Sequence, residues 1–134
     1  MALSKDRDTL RKADSEFYHV PVAASAVIYA GALVVNNAGY AAPGSVATTL
    51  VALGRAEESV DNTGGANGAK SVTVRRGVFK FKNSSAGDAI GLTELGKDVY
   101  IVDDETVAKT NGTNTRSVAG KVRGVDSDGV WVEI

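Results

Sequence analysis

Cysteine is absent from the 134-residue sequence, which excludes a disulfide framework, a thiol nucleophile and a thiolate metal site. Stability must come from packing, strand pairing or oligomerisation. Charge of one sign is lacking too: 15 basic and 16 acidic residues leave a formal charge of −1, so no global field holds nucleic acid or an anionic membrane. The apolar stretch from Val20 to Val35 is shorter than the ~20 residues that a spanning helix needs, and Pro21, Ser25 and Gly31 interrupt it. No secretion signal is read, because mostly polar residues precede that stretch where a signal would need a basic start followed directly by an apolar core. Catalytic material is equally scarce. His19 is the single histidine, with no nucleophile and orienting carboxylate beside it, and it reads as structural or exposed.

A chain of this length fits one domain, able to bury roughly two thirds of its unfolded surface. The stretch from Lys70 to Asn83 organises it. Val72 and Val74 point to one face of a strand, while beyond Gly77 the apolar positions become Phe79 and Phe81, so the parity flips. With a side-chain period of two, one core face survives such a flip only if a residue is inserted, and Arg75-Arg76-Gly77 is the predicted bulge or bend of a continuous strand. Gly77, Phe79 and Phe81 are therefore structural positions, with both rings on the core face.

Further β-type runs cover 26–35, 49–56, 99–102, 106–109, 117–125 and 130–134, and turn chemistry separates them: Asn36-Asn37-Ala38-Gly39, the segment 61–65, Asn67-Gly68, Asn111-Gly112 and Asp126-Ser127-Asp128-Gly129. At the end of the chain, Val118, Val122, Val130, Val132 and Ile134 share one parity, and Lys121, Arg123, Trp131 and Glu133 the other, which predicts a terminal hairpin. Val99 to Val102 lacks alternation and is expected to be covered on both faces. Thr93-Glu94-Leu95 is expected to form a helical turn closed at Gly96. The fold class that follows is all-β, a small β-barrel or β-sandwich with a jelly roll as the alternative, forming one domain over 20–134. Residues 1–19 differ: both charge signs are mixed, and Leu3, Leu10 and Phe17 recur at a spacing too sparse for a core helix. They read as an extended N-terminal arm.

Several motifs fail their chemical tests. The run from Gly64 to Ser71 resembles a phosphate loop, yet Ala69 separates the glycine from Lys70 and a strand follows instead of a helix N-terminus; it reads as a flexible connection. The turn at Asp126 lacks the third acidic position and the distant glutamate of a calcium loop. Asp103-Asp104-Glu105 and Glu57-Glu58 with Asp61 read as solvated turns, and the triplets at Asn83 and Asn111 as turn sequences rather than glycosylation sites. Arg75-Arg76 beside Phe79 and Phe81 is the basic and aromatic mixture that holds single-stranded nucleic acid, but rings on the core face favour packing.

In order along the chain, the segments resemble the small head-decoration, or capsid cement, proteins of tailed bacteriophages. The resemblance lies in Gly54-Arg55-Ala56-Glu57-Glu58, Val60-Asp61-Asn62 and Val74-Arg75-Arg76-Gly77-Val78-Phe79. It continues through Val99-Tyr100-Ile101-Val102-Asp103-Asp104, Thr106-Val107-Ala108-Lys109, Arg116-Ser117-Val118-Ala119-Gly120 and Gly129-Val130-Trp131-Val132. It implies a mostly β protein made in a bacterial host cytoplasm and bound to the outer surface of an expanded capsid. The partners implied are the major capsid protein and further copies of itself, a trimer before a dimer, with no enzyme activity, cofactor, metal, nucleic acid or membrane. The contact candidates are Leu3, Arg7, Leu10, Arg11, Lys12, Phe17, Tyr18 and Trp131, the last because it opposes the apolar face of the hairpin. Two other classes remain open. One is a virion module binding host or glycan, which needs an exposed aromatic platform. The other is a small enzyme using Asp103, Asp104 and Glu105.

Overall fold

The structure is a computed structural model that describes residues 2–13 and 15–134; Met1 and Asp14, both within the arm read from the sequence, lie outside the described residues. The described residues form twelve strands: β1 (Phe17–Pro21), β2 (Val27–Ile28), β3 (Leu33–Asn37), β4 (Tyr40–Pro43), β5 (Val51–Ala56), β6 (Val60–Asp61), β7 (Ser71–Arg75), β8 (Val78–Asn83), β9 (Asp98–Ile101), β10 (Thr106–Ala108), β11 (Val118–Asp126) and β12 (Gly129–Glu133). Two single 3₁₀ turns, Ala86–Asp88 and Leu92–Glu94, lie between β8 and β9, one more than expected, and the second is followed by Gly96 in the left-handed region.

The later strands close a small barrel in the order β10-β8-β12-β11-β9. The earlier ones form a five-stranded sheet, β1-β7-β5-β3-β4, which curls until Val22 bridges Ala41 and the Ala23 amide donates to the Ala41 carbonyl at 2.9 Å. β2 and β6 make a two-stranded ribbon. The expected all-β fold of barrel type is present. A jelly roll, eight strands in two sheets built from Greek keys, does not describe this order, and β8 and β10 pair in parallel.

β3 explains how the two halves share one chain. Leu33, Val34 and Val35 are all fully buried. Leu33 and Val35 join the barrel core with Leu50, Phe81, Val99, Ile101, Val107, Val122, Val130 and Val132, while Val34 points the other way into a second core with Val22, Ile28, Val72 and Val74. A run of consecutive branched apolar residues suits a strand covered on both faces. Each fully buried Val, Leu or Ile is worth ~1.5–3 kcal/mol, so two such cores supply the cohesion that a cysteine-free chain cannot draw from cross-links.

Those two cores also correct the reading of Lys70 to Asn83. It is not one bent strand. β7 belongs to the curled sheet and β8 to the barrel, so Val72 and Val74 enter one core and Phe81 the other. The parity flip is real, but it marks a crossing between sheets at Arg76-Gly77, with no need to insert a residue in a shared face. Likewise 26–35 is two strands, parted by a turn at Gly31, whose backbone is left-handed.

The terminal hairpin is present, with Val122 opposite Val132 and Val125 opposite Val130. Val118 departs from its parity and is exposed, because the pairing of β11 with β9 shifts between Val118 and Gly120 and turns Ala119 inward instead. Tyr100 on β9 and Val102 just beyond it are only half-buried, so the run from Val99 to Val102 is less completely covered than its composition predicted. The run from Gly64 to Lys70 is a hydrogen-bonded loop, and Ser71 begins β7. The buried Asn62 side chain donates to the Ala23 and Ala66 carbonyls, and Asn67 Oδ1 accepts from the Ala24 amide at 2.7 Å. Among the described residues, no helix is long and apolar enough to cross a membrane.

Candidate interaction face

Tertiary structure gathers aromatic and basic side chains that are far apart in sequence. On β12, alternation sends Val130 and Val132 into the barrel and Trp131 outward, half-exposed. Its indole N–H donates to Asp126 Oδ2 at 2.8 Å, and the Lys80 ammonium stands 5.7 Å from the ring centroid while pairing with Asp126 and Asp128 across the hairpin turn. The Trp131 hydrogen bond, and after it Lys80, holds the Asp126 carboxyl below the usual carboxylate range; the hydrogen bond from Lys80 to Asp128 raises the Lys80 ammonium. The turn once compared with a calcium loop thus spends its two aspartates on one lysine.

Next to Trp131, a cleft of about 390 Å³ lined by Gly31, Arg55, Val78, Phe79, Lys80 and other residues leads to a second stack, the Arg55 guanidinium 4.4 Å from the Phe79 ring centroid. Glu57 links it to a third: it pairs with Arg55 at 2.9 Å and with Arg75 at 3.5 Å, and Arg75 lies 4.8 Å from the Phe17 ring centroid and 3.6 Å from Glu16. The face therefore runs from Trp131 across Phe79 to Phe17, built from strands of both the barrel and the curled sheet. Its cations are paired internally, and what it presents is aromatic and guanidinium surface.

The candidates from sequence divide accordingly. Phe17 and Tyr18 are not on the arm but in β1, which pairs along its length with β7; the domain begins at Phe17. Leu3, Arg7, Leu10, Arg11 and Lys12 are exposed and lie outside any strand. Phe81 is buried in the barrel, whereas Phe79 sits at its edge with one side of the ring under Arg55. Gly77 lies at the crossing, where an added Cβ would stand 3.2 Å from the Phe79 ring. Arg55 and Glu57 were missed as members of this face, and only their spacing of two, Arg55 near the end of β5 and Glu57 just past it, could have hinted at it.

Chemistry of the enzymatic kind finds less. Asp103 accepts the Glu105 amide, Glu105 pairs with Lys82 at 2.8 Å, and Asp104 stands beside them with its carboxyl raised by partial burial and by Asp103. Among the described residues, no group of three His, Asp or Glu side chains is gathered to hold a metal ion. Lys70 donates to the Asp61 carbonyl at 2.6 Å. His19 lies on β1 with Nδ1 3.4 Å from the Thr73 hydroxyl. The Asn83 amide is turned inward, where it donates to the Ile90 carbonyl and accepts from the Ile90 amide.

The class defined by fold and face is a small all-β protein with a mixed aromatic and cationic surface. Comparison with protein-family models, with curated proteins and with solved structures finds no match to the chain.

Proposed function

We propose that the protein is a virion structural protein that binds the outer surface of an expanded phage capsid and cements neighbouring major capsid protein subunits. The observation that carries this reading is the continuous face of Trp131, Phe79 and Phe17 stacked with Lys80, Arg55 and Arg75. Aromatic and arginine side chains are what protein interfaces are enriched in and where their energy concentrates. A face that spans both halves of the fold spreads load across two cores, and repeated modest contacts on a symmetric shell gain strength through multivalency. The exposed arm, leaving the fold beside Phe17, adds Leu3, Leu10, Arg7, Arg11 and Lys12 as further grip. The resemblance in sequence supplies the partner, the major capsid protein, and sister copies in a trimer or dimer.

Cryo-EM of the source particle tests the reading. Density for this chain is expected on the outer shell, bridging adjacent capsid subunits through the Trp131 face. Particles that lack the chain, or that carry it on the tail, overturn the proposal. The half-exposed Trp131 beside an open cleft favours a second reading, a virion module binding host glycan, since sugar rings stack on such rings. Glycan-array binding lost in Trp131→Ala, together with absence from the shell, is the outcome that selects it.

A further inference from the structure

A large groove of about 1130 Å³ opens where the barrel meets the curled sheet, with the Arg75 to Phe79 crossing along its wall. Leu50, Val51, Ala52, Val78, Val118 and Ile134 are among its lining residues, and Val51, Val78 and Val118 are 58%, 41% and 42% exposed. One wall is an unfinished strand edge. Val51 and Ala52 pair with Asn36 and Val35 of β3 on one side, but β7 pairs only with Arg55 and Ala56 on the other before the chain crosses into β8. The edge beside Val51 and Ala52 therefore has no strand partner among the described residues. An open edge next to exposed valines is a template for an added strand.

We infer that this groove takes residues 9–13 of a second copy of the chain, added antiparallel to β5 along the part of its edge that β7 leaves open. The arm leaves the fold at the groove itself: Ser15 and Glu16 line it, with the Glu16 carbonyl accepting from the Arg76 amide at 2.8 Å. Yet Leu10 is 87% exposed and touches nothing of its own body that would hide it. Charge sets the direction. Arg76, exposed and in no ion pair among the described residues, stands at the Gly54 end of β5, where its amide nitrogen would lie 3.3 Å from a Cβ on Gly54. An antiparallel strand with Leu10 opposite Ala52 brings Asp8 to that end and carries Arg11 and Lys12 away from it.

The molecule's own arm makes the opposite match. β1 and β5 are both antiparallel to β7, so an arm continuing straight back from β1 runs parallel to β5 and sets Lys12 and Arg11 nearer Arg76 than Asp8. Reversing it would need a tight turn directly before Glu16, whose carbonyl Arg76 already holds. Passing the arm to another copy avoids both, and either a twofold exchange or a closed head-to-tail ring satisfies every groove. The inference concerns isolated protein and does not rest on the capsid reading.

The absence of cysteine makes the test clean. Full-length Leu10→Cys and Ala52→Cys single variants are mixed and mildly oxidised, then resolved without reductant. A disulfide between chains is expected for this pair, because directly opposite residues in an antiparallel ladder have Cβ atoms ~4.5–5.5 Å apart. Leu3→Cys mixed with Ala52→Cys is the control and should give only the background of random collision. Asp8→Lys should weaken the cross-link about fivefold or less, the scale of an exposed ion pair, and Arg76→Asp in the partner should restore it. Cross-linking no greater than the Leu3 control overturns the inference. So does a double variant, Leu10→Cys with Ala52→Cys, that closes only within one chain, since the occupant is then the molecule's own arm.

Discussion

Substituting Gly54 should be the most damaging single-methyl change in the molecule. Gly54 lies in β5 where pairing with β3 slips by one residue between Val34 and Val35, and its φ is +147°. A Cβ there would stand 2.1 Å from the Arg75 carbonyl oxygen and 2.8 Å from its carbon. Both atoms are backbone, fixed by the pairing of Arg75 with Arg55 and Phe17, so no side-chain rotation relieves the clash. The disfavoured φ costs ~1–3 kcal/mol and forced overpacking ~1–3 kcal/mol more, so Gly54→Ala should lose ~2–6 kcal/mol. At ~2–8 °C per kcal/mol for domains bracketing this size, the midpoint of thermal unfolding should fall by at least ~4 °C and by ~20 °C at the centre of the range. Differential scanning calorimetry of Gly54→Ala beside Gly77→Ala provides the comparison. At Gly77 the added methyl meets only the edge of the Phe79 ring at 3.2 Å, which can shift, so the loss should be smaller. If Gly54→Ala melts like the parent, or if Gly77→Ala is the worse of the two, the argument that β5 is pressed against the β7 backbone is wrong.

A variant beginning at Phe17 keeps β1 intact and should melt within a few degrees of the full chain, while co-sedimenting more weakly with expanded capsids; equal decoration would remove the arm from the attachment. Because the Asp126 carboxyl is held low in the folded state, its contribution is full above the ordinary carboxylate pKa of about 4 and is lost as pH falls through the folded value. Acid titration of Trp131 fluorescence should therefore show a transition below that ordinary value, absent in Asp126→Asn, and a transition near neutrality would contradict the assignment. Asp104 has the opposite sign: a raised carboxyl disfavours the folded state above its pKa, so Asp104→Asn should raise thermal stability at pH 7 and give no gain at pH 3, as read by thermal melts. A loss of stability at pH 7 would mean that its charge is needed. Lys80, raised by Asp128, should contribute fully below the ordinary lysine value and lose that contribution as pH rises beyond its folded one; Lys80→Met should flatten the alkaline limb of the stability profile.

Composition and alternation alone determined the all-β class, the terminal hairpin and the outward direction of Trp131, because side chains on a half-buried strand obey a period of two whatever the strand pairs with. The helical turn before Gly96 was legible for a similar local reason. What alternation cannot carry is the identity of the neighbour. The parity flip after Arg75 looks the same whether one strand bulges or two strands face different cores, and only the placement of β7 in the curled sheet and β8 in the barrel decides it. Short strands such as β2 and β6 leave almost no pattern, since two residues cannot alternate. The same limit hid the interaction face. Phe17, Arg55, Phe79 and Trp131 come from four separate strands, and each reads by itself as an arm residue, a surface charge, a core ring or an outward aromatic. Their stacking is a long-range consequence of how two cores share β3, which no local spacing encodes.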